Sequence, residues 1–201
     1  GDGADTFNIS TATAFVTAGA GVPVAKHGNR AVSSACGSAD VLAELGVNID
    51  AEPEIIEECV QEHGIGFLFA PRLHPAMKNV ASSRKELGFR TIFNMLGPLT
   101  NPAGAVGQVL GVFAPELTET FAYVLRDLHV QRAYVVHGHD GLDEISAAAP
   151  SRVSELYEGY VQTYDISPEA LMGTFADPAD YAGGSPEHNA TLLRNVLSGE
   201  A

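Results

Sequence analysis

Residues 107–138, GQVLGVFAPELTETFAYVLRDLHVQRAYVVHG, decide the fold that the sequence predicts. Two apolar runs, GQVLGVFAP and RAYVVHG, are typical of buried strands, and the amphipathic segment PELTETFAYVLRDL between them is typical of a helix. A strand, a helix and a second strand in this order form the unit that joins parallel strands, because a parallel pair needs a long crossover. The stretch therefore predicts an α/β protein with a parallel sheet.

The same alternation continues along the rest of the chain. Helices are predicted over residues 6–21, 37–50, 51–64, 74–88 and 185–199, and further strands over 21–29 and 65–71. Residues 151–166, SRVSELYEGYVQTYDI, alternate about Gly159 and predict an antiparallel hairpin. The expected architecture is a mostly parallel central sheet flanked by helices, with an antiparallel hairpin near the carboxyl-terminal part, in one domain over residues 1–201.

Composition narrows the class of partner. The formal charge of −14 argues against a nucleic-acid partner, because such binding needs a basic surface. No apolar run approaches the roughly 20 residues of a membrane-spanning helix. No secretory leader is evident either, and Cys36 and Cys59 are interpreted as buried thiols, so a cytoplasmic protein is expected. All three lysines and four of the eight arginines lie between residues 26 and 90, which fits an anion site or ordinary helix-surface charge.

The first candidate site is GDGADTFNIST, residues 1–11. Small and hydroxyl-bearing residues that lead into a helix bring its free amides and positive dipole end to one place, which suits an anion. Asn8, Ser10 and Thr11 are also residues that cap a helix and do nothing more. The glycines before them favour an anion site, since a cap does not need them.

A second candidate is AKHGNRAVSSACGSADVL, residues 25–42, which follows a predicted strand. Hydrogen-bond donors dominate this turn and no carboxylate occurs before Asp40, so the segment suits a phosphate or diphosphate. The alternative is an ordinary Ser/Gly loop. The candidate donors and glycine are Lys26, Asn29, Arg30, Ser33, Ser34, Gly37 and Ser38.

A third candidate is VVHGHDGLDEIS, residues 135–146, where Asp140, Asp143 and Glu144 follow a strand in a glycine turn. Clustered carboxylates repel one another unless a cation lies between them, and oxygen ligands select Mg²⁺. His137 and His139 are interpreted as structural rather than as zinc ligands.

A fourth segment is residues 74–104. Arg84 lies on a predicted helix there, and FNMLGPLTNP is predicted to be an ordered loop beside a pocket.

Taken together and in this order, these stretches resemble the anthranilate phosphoribosyltransferase family. The segments that carry the resemblance are GDGADTFNIST, VAKHGNR, SSACGSADVLAELGV, FLFAPRLHPAMK, RTIFNMLGPLTNP and HDGLDEIS. The likeness runs along essentially the whole chain and implies a nucleoside phosphorylase/phosphoribosyltransferase-like fold. It also implies that the chain begins within the family's phosphoribosyl diphosphate loop, lacks its small helical amino-terminal domain and extreme carboxyl-terminal segment, and is weakly active or inactive alone.

The resemblance implies transfer of a phosphoribosyl group from 5-phosphoribosyl 1-diphosphate to the amine of anthranilate, in tryptophan biosynthesis. It implies Mg²⁺ held by Ser10, Asp143 and Glu144, anthranilate contacts from Asn29 and Arg84, and no dedicated catalytic residue. A homodimer formed through the helical domain is implied for the full-length form. The residues that correspond to contacts of the diphosphate sugar are Gly1, Asp2, Thr6, Asn8, Ile9, Ser10, Thr11, Lys26, His27, Gly28, Asn29, Arg30, Ser33, Ser34 and Ser38.

Other functions remain open at the level of sequence. A pyrimidine nucleoside phosphorylase-like enzyme would share the fold and the anion loop, although it would not need the Asp143–Glu144 pair. A non-catalytic paralogue that binds nucleic acid is a second alternative, against which the acidic charge argues. A catalytically inactive fragment is a third.

Overall fold

An α/β arrangement of helices and strands is present in the computed structural model, which describes residues 4–31, 35–77, 79–80, 86 and 91–200. The strands are β1 Val24–Gly28, β2 Ile65–Phe69, β3 Gly107–Gly111, β4 Arg132–Gly138, β5 Ser151–Tyr157 and β6 Tyr160–Ile166. The helices are α1 Ile9–Gly19, α2 Ser38–Glu44, α3 Pro53–His63, α4 Ala70–Leu73, α5 Ile92–Leu96, α6 Leu117–Asp127, α7 Pro168–Met172 and α8 Pro186–Ser198. Short 3₁₀ turns occur at Pro75–Met77, Gly97–Leu99 and Pro178–Tyr181.

The chain divides into two compact units, which are described separately. The β1–β2 unit comprises Phe7–Ala103 and the segment from Gly183 onward. The β3–β6 unit comprises Gly104–Ala182 and the segment that ends at Thr6. The assignment of residues 1–201 to one domain stays a prediction.

In the β1–β2 unit the two strands pair in parallel, with Gly28 opposite Phe69 at their carboxyl ends. Helix α3 begins at Pro53 and ends at His63, and the next residue, Gly64, has a φ of 74°, a left-handed conformation that glycine adopts readily. Packing of α2 against α8 and of α3 against β2 completes the unit. One of its buried clusters comprises Ala39, Leu42, Ile49 and Phe69, with Phe15, Leu45 and Phe67 packed against it.

The β3–β6 unit contains a sheet in the order β3-β4-β5-β6. Strands β3 and β4 pair in parallel and are joined by α6, as residues 107–138 predict. Strands β5 and β6 form the predicted hairpin, in which Glu158 and Gly159 have φ of 49° and 83°. Two successive positive φ values are those of a type I′ turn, which matches the twist of paired strands.

The α/β class is confirmed, with the strands distributed over a parallel sheet and a mixed sheet. The mixed pairing arises between β4 and β5, because the connection over residues 139–150 contains no helix and the strand returns antiparallel. The prediction of a loop over FNMLGPLTNP is wrong, because most of this stretch lies in α5 and in a 3₁₀ turn. The side-chain oxygen of Asn94 accepts a 2.9 Å hydrogen bond from the Thr91 N–H at the start of that helix.

Among the described residues, none of the helices combines the length and apolarity needed to cross a bilayer. Most of the helix predicted over residues 74–88 lies outside the described residues.

Candidate functional site

The amino-terminal end of α1 is held by Asn8, the residue that precedes the helix. Asn8 stands at the predicted capping position, but its side chain makes no capping hydrogen bond. Its Nδ2 donates to the Cys36 carbonyl oxygen over 3.2 Å, and its Oδ1 accepts from Nδ2 of Asn189 over 3.0 Å. The Asn8 side chain therefore ties the start of α1 to two other segments instead of capping the helix, and the positive end of the helix dipole favours an anion there.

Lys26 brings a cation to the first turn of α1. It lies on β1 opposite Phe67, and its Nζ donates a 3.0 Å hydrogen bond to Oγ of Ser10. An ammonium group beside the amino-terminal turn of an 11-residue helix creates a local positive potential. The arrangement favours binding of a phosphate or another anion.

The turn after β1 approaches α2 closely, and two glycines permit it. A Cβ on Gly28 would collide with Ser38 Oγ and lie 2.8 Å from the Phe67 ring, and a Cβ on Gly37 would collide with backbone atoms of Ala31 and Arg30. The Asn29 carbonyl accepts hydrogen bonds from the Ser38 hydroxyl over 3.3 Å and from the Ala39 N–H over 3.1 Å. These contacts fix both ends of the turn.

The Asp40 carboxylate holds the same turn together through hydrogen bonds. It accepts hydrogen bonds from the N–H groups of Ala31 (2.8 Å) and Gly37 (3.0 Å) and from the Arg30 guanidinium (2.9 Å). Burial raises the pKa of Asp40, but the two amides and Arg30 outweigh this effect and hold the pKa below its ordinary value. The first carboxylate of the segment therefore shapes the loop, a role that the sequence prediction missed.

His27 is a neutral neighbour of Lys26. Its Nε2 lies 3.2 Å from Nε2 of His74, and the two rings meet edge to face. Burial, and then the adjacent His74 and Lys26, lower the pKa of His27 to about 4. At neutral pH, positive charge in this part of the site comes from Lys26 and from Arg30, which lies 5.9 Å from the Phe69 ring centre.

The acidic turn follows β4 in the β3–β6 unit. Gly138 N–H donates to the Leu142 carbonyl over 2.8 Å, and Gly141 has a φ of 98°. The Asp140 carboxylate accepts a 2.5 Å hydrogen bond from the Ser146 hydroxyl, which gives it a structural role in the turn. Asp143 and Glu144 are half-buried.

Close packing positions the backbone beside that carboxylate pair. A Cβ on Gly111, at the end of β3, would collide with the Asp143 carbonyl group. Within the part of the chain that the structure describes, no group of three His, Cys, Asp or Glu side chains converges as a metal site would require. Two carboxylates fit Mg²⁺ nonetheless, since this ion commonly takes one or two carboxylates together with phosphate oxygens of its substrate.

The two histidines near the acidic turn have protein partners. His137 is buried, and its Nδ1 lies 2.8 Å from the Val112 carbonyl, to which it donates. Nε2 of His139 lies 3.1 Å from the Asp165 carboxylate. The interpretation of both histidines as structural residues stays a prediction.

The structure gathers most of the predicted phosphate-site residues in the β1–β2 unit. They are Asn8, Ile9, Ser10, Thr11, Lys26, His27, Gly28, Asn29, Arg30 and Ser38. Thr6, Asp143 and Glu144 belong to the β3–β6 unit, where Thr6 forms a β-bridge with Ala182. The predicted site residues Gly1, Asp2, Ser33, Ser34 and Arg84 lie outside the described residues.

Sequence reasoning also missed Asn189. This residue of α8 is 1% exposed, accepts a 2.7 Å hydrogen bond from the Gly184 N–H and donates to Asn8. It lies four residues before Leu193, which is fully buried, so helical spacing places a polar side chain on the apolar face of α8. That mismatch is the signal that could have identified it.

Known proteins are similar to this chain in sequence and in fold. Residues 1–201 match the glycosyl transferase family, a/b domain. Anthranilate phosphoribosyltransferase of Desulfosudis oleivorans is 67% identical over 200 residues, which are 100% of this chain and 59% of the relative. The chain thus spans about 59% of the length of such curated relatives.

Solved structures agree with this result. The crystal structure of anthranilate phosphoribosyltransferase from Thermus thermophilus has a TM-score of 0.92 and 50% identity, covering 100% of this chain and 59% of its own. The enzyme from Saccharomyces cerevisiae, in complex with PRPP and Mg, has a TM-score of 0.90 and 31% identity, covering 100% and 56%. The resemblance drawn from the sequence segments is confirmed.

Proposed function

Because the chain belongs to the glycosyl transferase family with this a/b domain, we propose that it serves in the transfer of a phosphoribosyl group to anthranilate. The donor is 5-phosphoribosyl 1-diphosphate (PRPP) and the products are N-(5-phosphoribosyl)anthranilate and diphosphate, in tryptophan biosynthesis. Relatives of this sequence carry the name of that enzyme, and one was solved with PRPP and Mg.

The observation that carries the proposal is the hydrogen bond from Lys26 to Ser10 at the start of α1. It combines a cation, a hydroxyl and a helix amino terminus, which together suit a diphosphate. The adjoining turn, held by Asp40, adds Asn29, Arg30 and Ser38 to the same unit. We assign the diphosphate and ribose to this set.

Breaking the bond between the ribose carbon and the diphosphate requires a site that stabilises the leaving group. The bond from C1 to the diphosphate oxygen breaks, a bond from C1 to the anthranilate nitrogen forms, and the nitrogen passes a proton to the released diphosphate. Negative charge develops on the departing diphosphate, so Lys26 and the amides of α1 stabilise it where it accumulates. The amine is already a nucleophile, and no residue is assigned as a dedicated base; alignment and exclusion of water are what the protein supplies.

Mg²⁺ fits the acidic turn as the proposed metal. Asp143 and Glu144 would hold it, because carboxylate oxygens are ligands this ion prefers. Ser10 is proposed as a further ligand on the family resemblance alone. When bound, it neutralises charge on the diphosphate. Asn29 and Arg84 are proposed to contact the anthranilate.

Three further assignments belong to the same proposal. The full-length form is proposed to be a homodimer, joined through a helical domain such as the family resemblance implies. A cytoplasmic location is proposed, with small-molecule substrates and neither nucleic acid nor membrane as a partner. The charge of −14 supports the exclusion of nucleic acid.

Calorimetric titration with PRPP in the presence of Mg²⁺ tests the donor site. We expect Lys26→Met to weaken binding by at least about tenfold, because a hydrogen bond from a charged donor is lost. Arg126→Met is the matched control, since it removes one positive charge at an exposed pair with Asp127 in the other unit. Equal affinity of wild type and Lys26→Met would refute the assignment of the diphosphate to this site.

A further inference from the structure

The segment over residues 97–103 contacts β1 beside Lys26. It begins with the 3₁₀ turn Gly97–Leu99 and belongs to the same β1–β2 unit as the strand. The N–H and the hydroxyl of Thr100 both donate to the Gly97 carbonyl, over 3.2 Å and 2.9 Å. These hydrogen bonds give the segment a defined shape.

Asn101 joins this segment to β1. Its Oδ1 accepts a 3.0 Å hydrogen bond from the Ala103 N–H, and its Nδ2 donates a 3.1 Å hydrogen bond to the Ala25 carbonyl. The Ala103 N–H can only donate and the Ala25 carbonyl can only accept, so the Asn101 amide satisfies both in one orientation. Ala25 directly precedes Lys26, and its carbonyl belongs to the peptide group that carries the Lys26 N–H. Asn101 thus holds the backbone on the amino-terminal side of Lys26.

A second set of contacts reaches His27, the residue after Lys26. Nε2 of His74 lies 3.5 Å from Thr100 Oγ1 and 3.2 Å from Nε2 of His27. The Thr100 hydroxyl already donates to Gly97, so a proton on His74 Nε2 serves both the Thr100 oxygen and His27. His27 accepts it as a neutral ring, since burial is the main cause that lowers its pKa to about 4.

The two sets of contacts hold β1 on both sides of the residue whose side chain reaches α1. Side chains alternate along a strand, so His27 points away from the face on which Lys26 donates to Ser10 Oγ over 3.0 Å. In the part of the chain that the structure describes, β1 has one strand partner, β2. Asn101 therefore adds to β1 a fixed point that strand pairing with β2 does not supply.

We propose that Asn101 is a positioning residue for Lys26. Through the Ala25 carbonyl, Asn101 holds β1 where the Lys26 ammonium group meets the first turn of α1. The hydrogen bond to Ala25 and the histidine contact at the second neighbour of Lys26 support this role. Asn101 is assigned no contact with PRPP and acts through Lys26 alone. Its effect on PRPP binding rests on the proposed function, whereas its effect on the Lys26 ammonium group does not.

NMR of the lysine ammonium groups tests the positioning without a substrate. The sequence has three lysines, so the Nζ–Hζ signal of Lys26 is identified by its loss in Lys26→Met. In Asn101→Leu we expect this signal to shift toward its position in Ser10→Ala, which lacks the acceptor. Asn101→Ala takes the place of Asn101→Leu if the larger side chain prevents folding. An unchanged Lys26 signal in a folded Asn101 variant overturns the proposal.

Asn48→Leu is the matched control for that experiment. Like Asn101, Asn48 accepts through Oδ1 from the N–H two residues later, here that of Asp50 over 3.1 Å, but at an exposed position. The same chemical change there should leave the Lys26 signal at its wild-type position. A shift equal to that of Asn101→Leu would contradict a specific role of Asn101.

A double-mutant cycle with PRPP and Mg²⁺ separates positioning from general structural support. Calorimetry should show that Asn101→Leu weakens PRPP binding by about fivefold, the factor that corresponds to one ordinary hydrogen bond. In the Lys26→Met background the same substitution should change the affinity by less than about twofold, because the side chain it positions is gone. Equal losses in both backgrounds would overturn the proposal. A wild type that does not bind PRPP refutes the proposed function instead, and the Lys26 signal then decides the positioning role.

Discussion

Nδ2 of Asn189, near the carboxyl end of the chain, donates a 3.0 Å hydrogen bond to Oδ1 of Asn8, 181 residues earlier. Through this bond α8 holds the residue from which α1 begins, and Asn8 in turn holds the Cys36 carbonyl. A residue with no assigned contact to substrate therefore positions the start of the proposed diphosphate site.

Replacement of Asn189 by Asp should separate this positioning role from simple packing. The new carboxylate still accepts from the Gly184 N–H but no longer donates to Asn8. We expect a loss of about 1–3 kcal/mol in the free energy of unfolding, because a buried acceptor loses its donor. PRPP affinity, measured by calorimetry at a temperature where the variant is folded, should fall about tenfold.

Asn195→Asp is the control for that experiment. Asn195 is on the same helix and only half-buried, so the same chemical change there should leave both quantities near wild type. Equal PRPP affinities of wild type and Asn189→Asp would show that Asn189 does not position the site.

Asp40→Asn should loosen the turn between β1 and α2. The N–H groups of Ala31 and Gly37 both donate to Oδ2 of Asp40, and Arg30 donates to Oδ1. An asparagine keeps one acceptor oxygen for the two N–H groups, but these hydrogen bonds lose their charged acceptor and the ion pair with Arg30 is lost. Chemical denaturation at neutral pH should show a loss of about 1–3 kcal/mol. Asp50→Asn, at an exposed position, should show little change, and equal losses in the two variants would contradict the clamp.

The stability advantage of wild type over Asp40→Asn should depend on pH in a defined direction. The folded-state pKa of Asp40 is lowered below the ordinary 3.8, so the stabilisation is present above pH 3.8 and is lost as the pH falls through the folded value. A constant difference between wild type and Asp40→Asn across this range would disagree with the lowered pKa.

His27 predicts a separate acid sensitivity. Its pKa is about 4 in the folded protein against 6.5 ordinarily, so the unfolded chain binds more protons between these values. Stability should therefore be full above pH 6.5 and decline as the pH falls toward 4, by on the order of 1–2 kcal/mol after allowance for partial exposure. Urea titrations of His27→Gln should lack this part of the decline, whereas the exposed His63→Gln should retain it.

Gly111→Ala should disturb the acidic turn. The added Cβ collides with the Asp143 carbonyl, whereas a Cβ on Gly107, on the same strand, has its nearest neighbour at 3.9 Å. Mg²⁺-dependent PRPP binding should weaken and the melting temperature should fall in Gly111→Ala but not in Gly107→Ala. Equal effects of the two substitutions would show that the close contact between Gly111 and Asp143 does not support the acidic turn.

Local signals in the sequence were sufficient for much of the fold. Apolar periodicity identified β3, α6 and β4, and Pro53, Gly64 and Gly159 marked a helix start, a helix end and a hairpin turn. Each of these features depends on residues that are close in sequence. The antiparallel return of β5 was not predicted, since it depends on the course of a connection that has no regular pattern.

The sequence indicated which residue types form the candidate site, but not the hydrogen bonds from neighbouring residues that hold them in place. Lys26 and Ser10 were singled out because glycines and hydroxyl-bearing residues surround them in the sequence, and the structure brings the two side chains into contact. Their role in binding a diphosphate stays a prediction. The roles of Asp40 and Asn189 depend on folded geometry: one needs the curvature of the turn, and the other needs contact across 181 residues. Arg84, Ser33 and Ser34 remain predictions.

Loss of anthranilate fluorescence after addition of PRPP and Mg²⁺ reports the proposed phosphoribosyl transfer itself. The chain would be joined to the amino-terminal segment of the Desulfosudis oleivorans relative and compared with the same protein carrying Asp143→Asn and Glu144→Gln. We predict a fluorescence decay with release of diphosphate, which the double variant lacks. A folded protein that leaves anthranilate fluorescence unchanged would rule out the proposed transfer, and a double variant as active as its parent would rule out Asp143 and Glu144 as metal ligands.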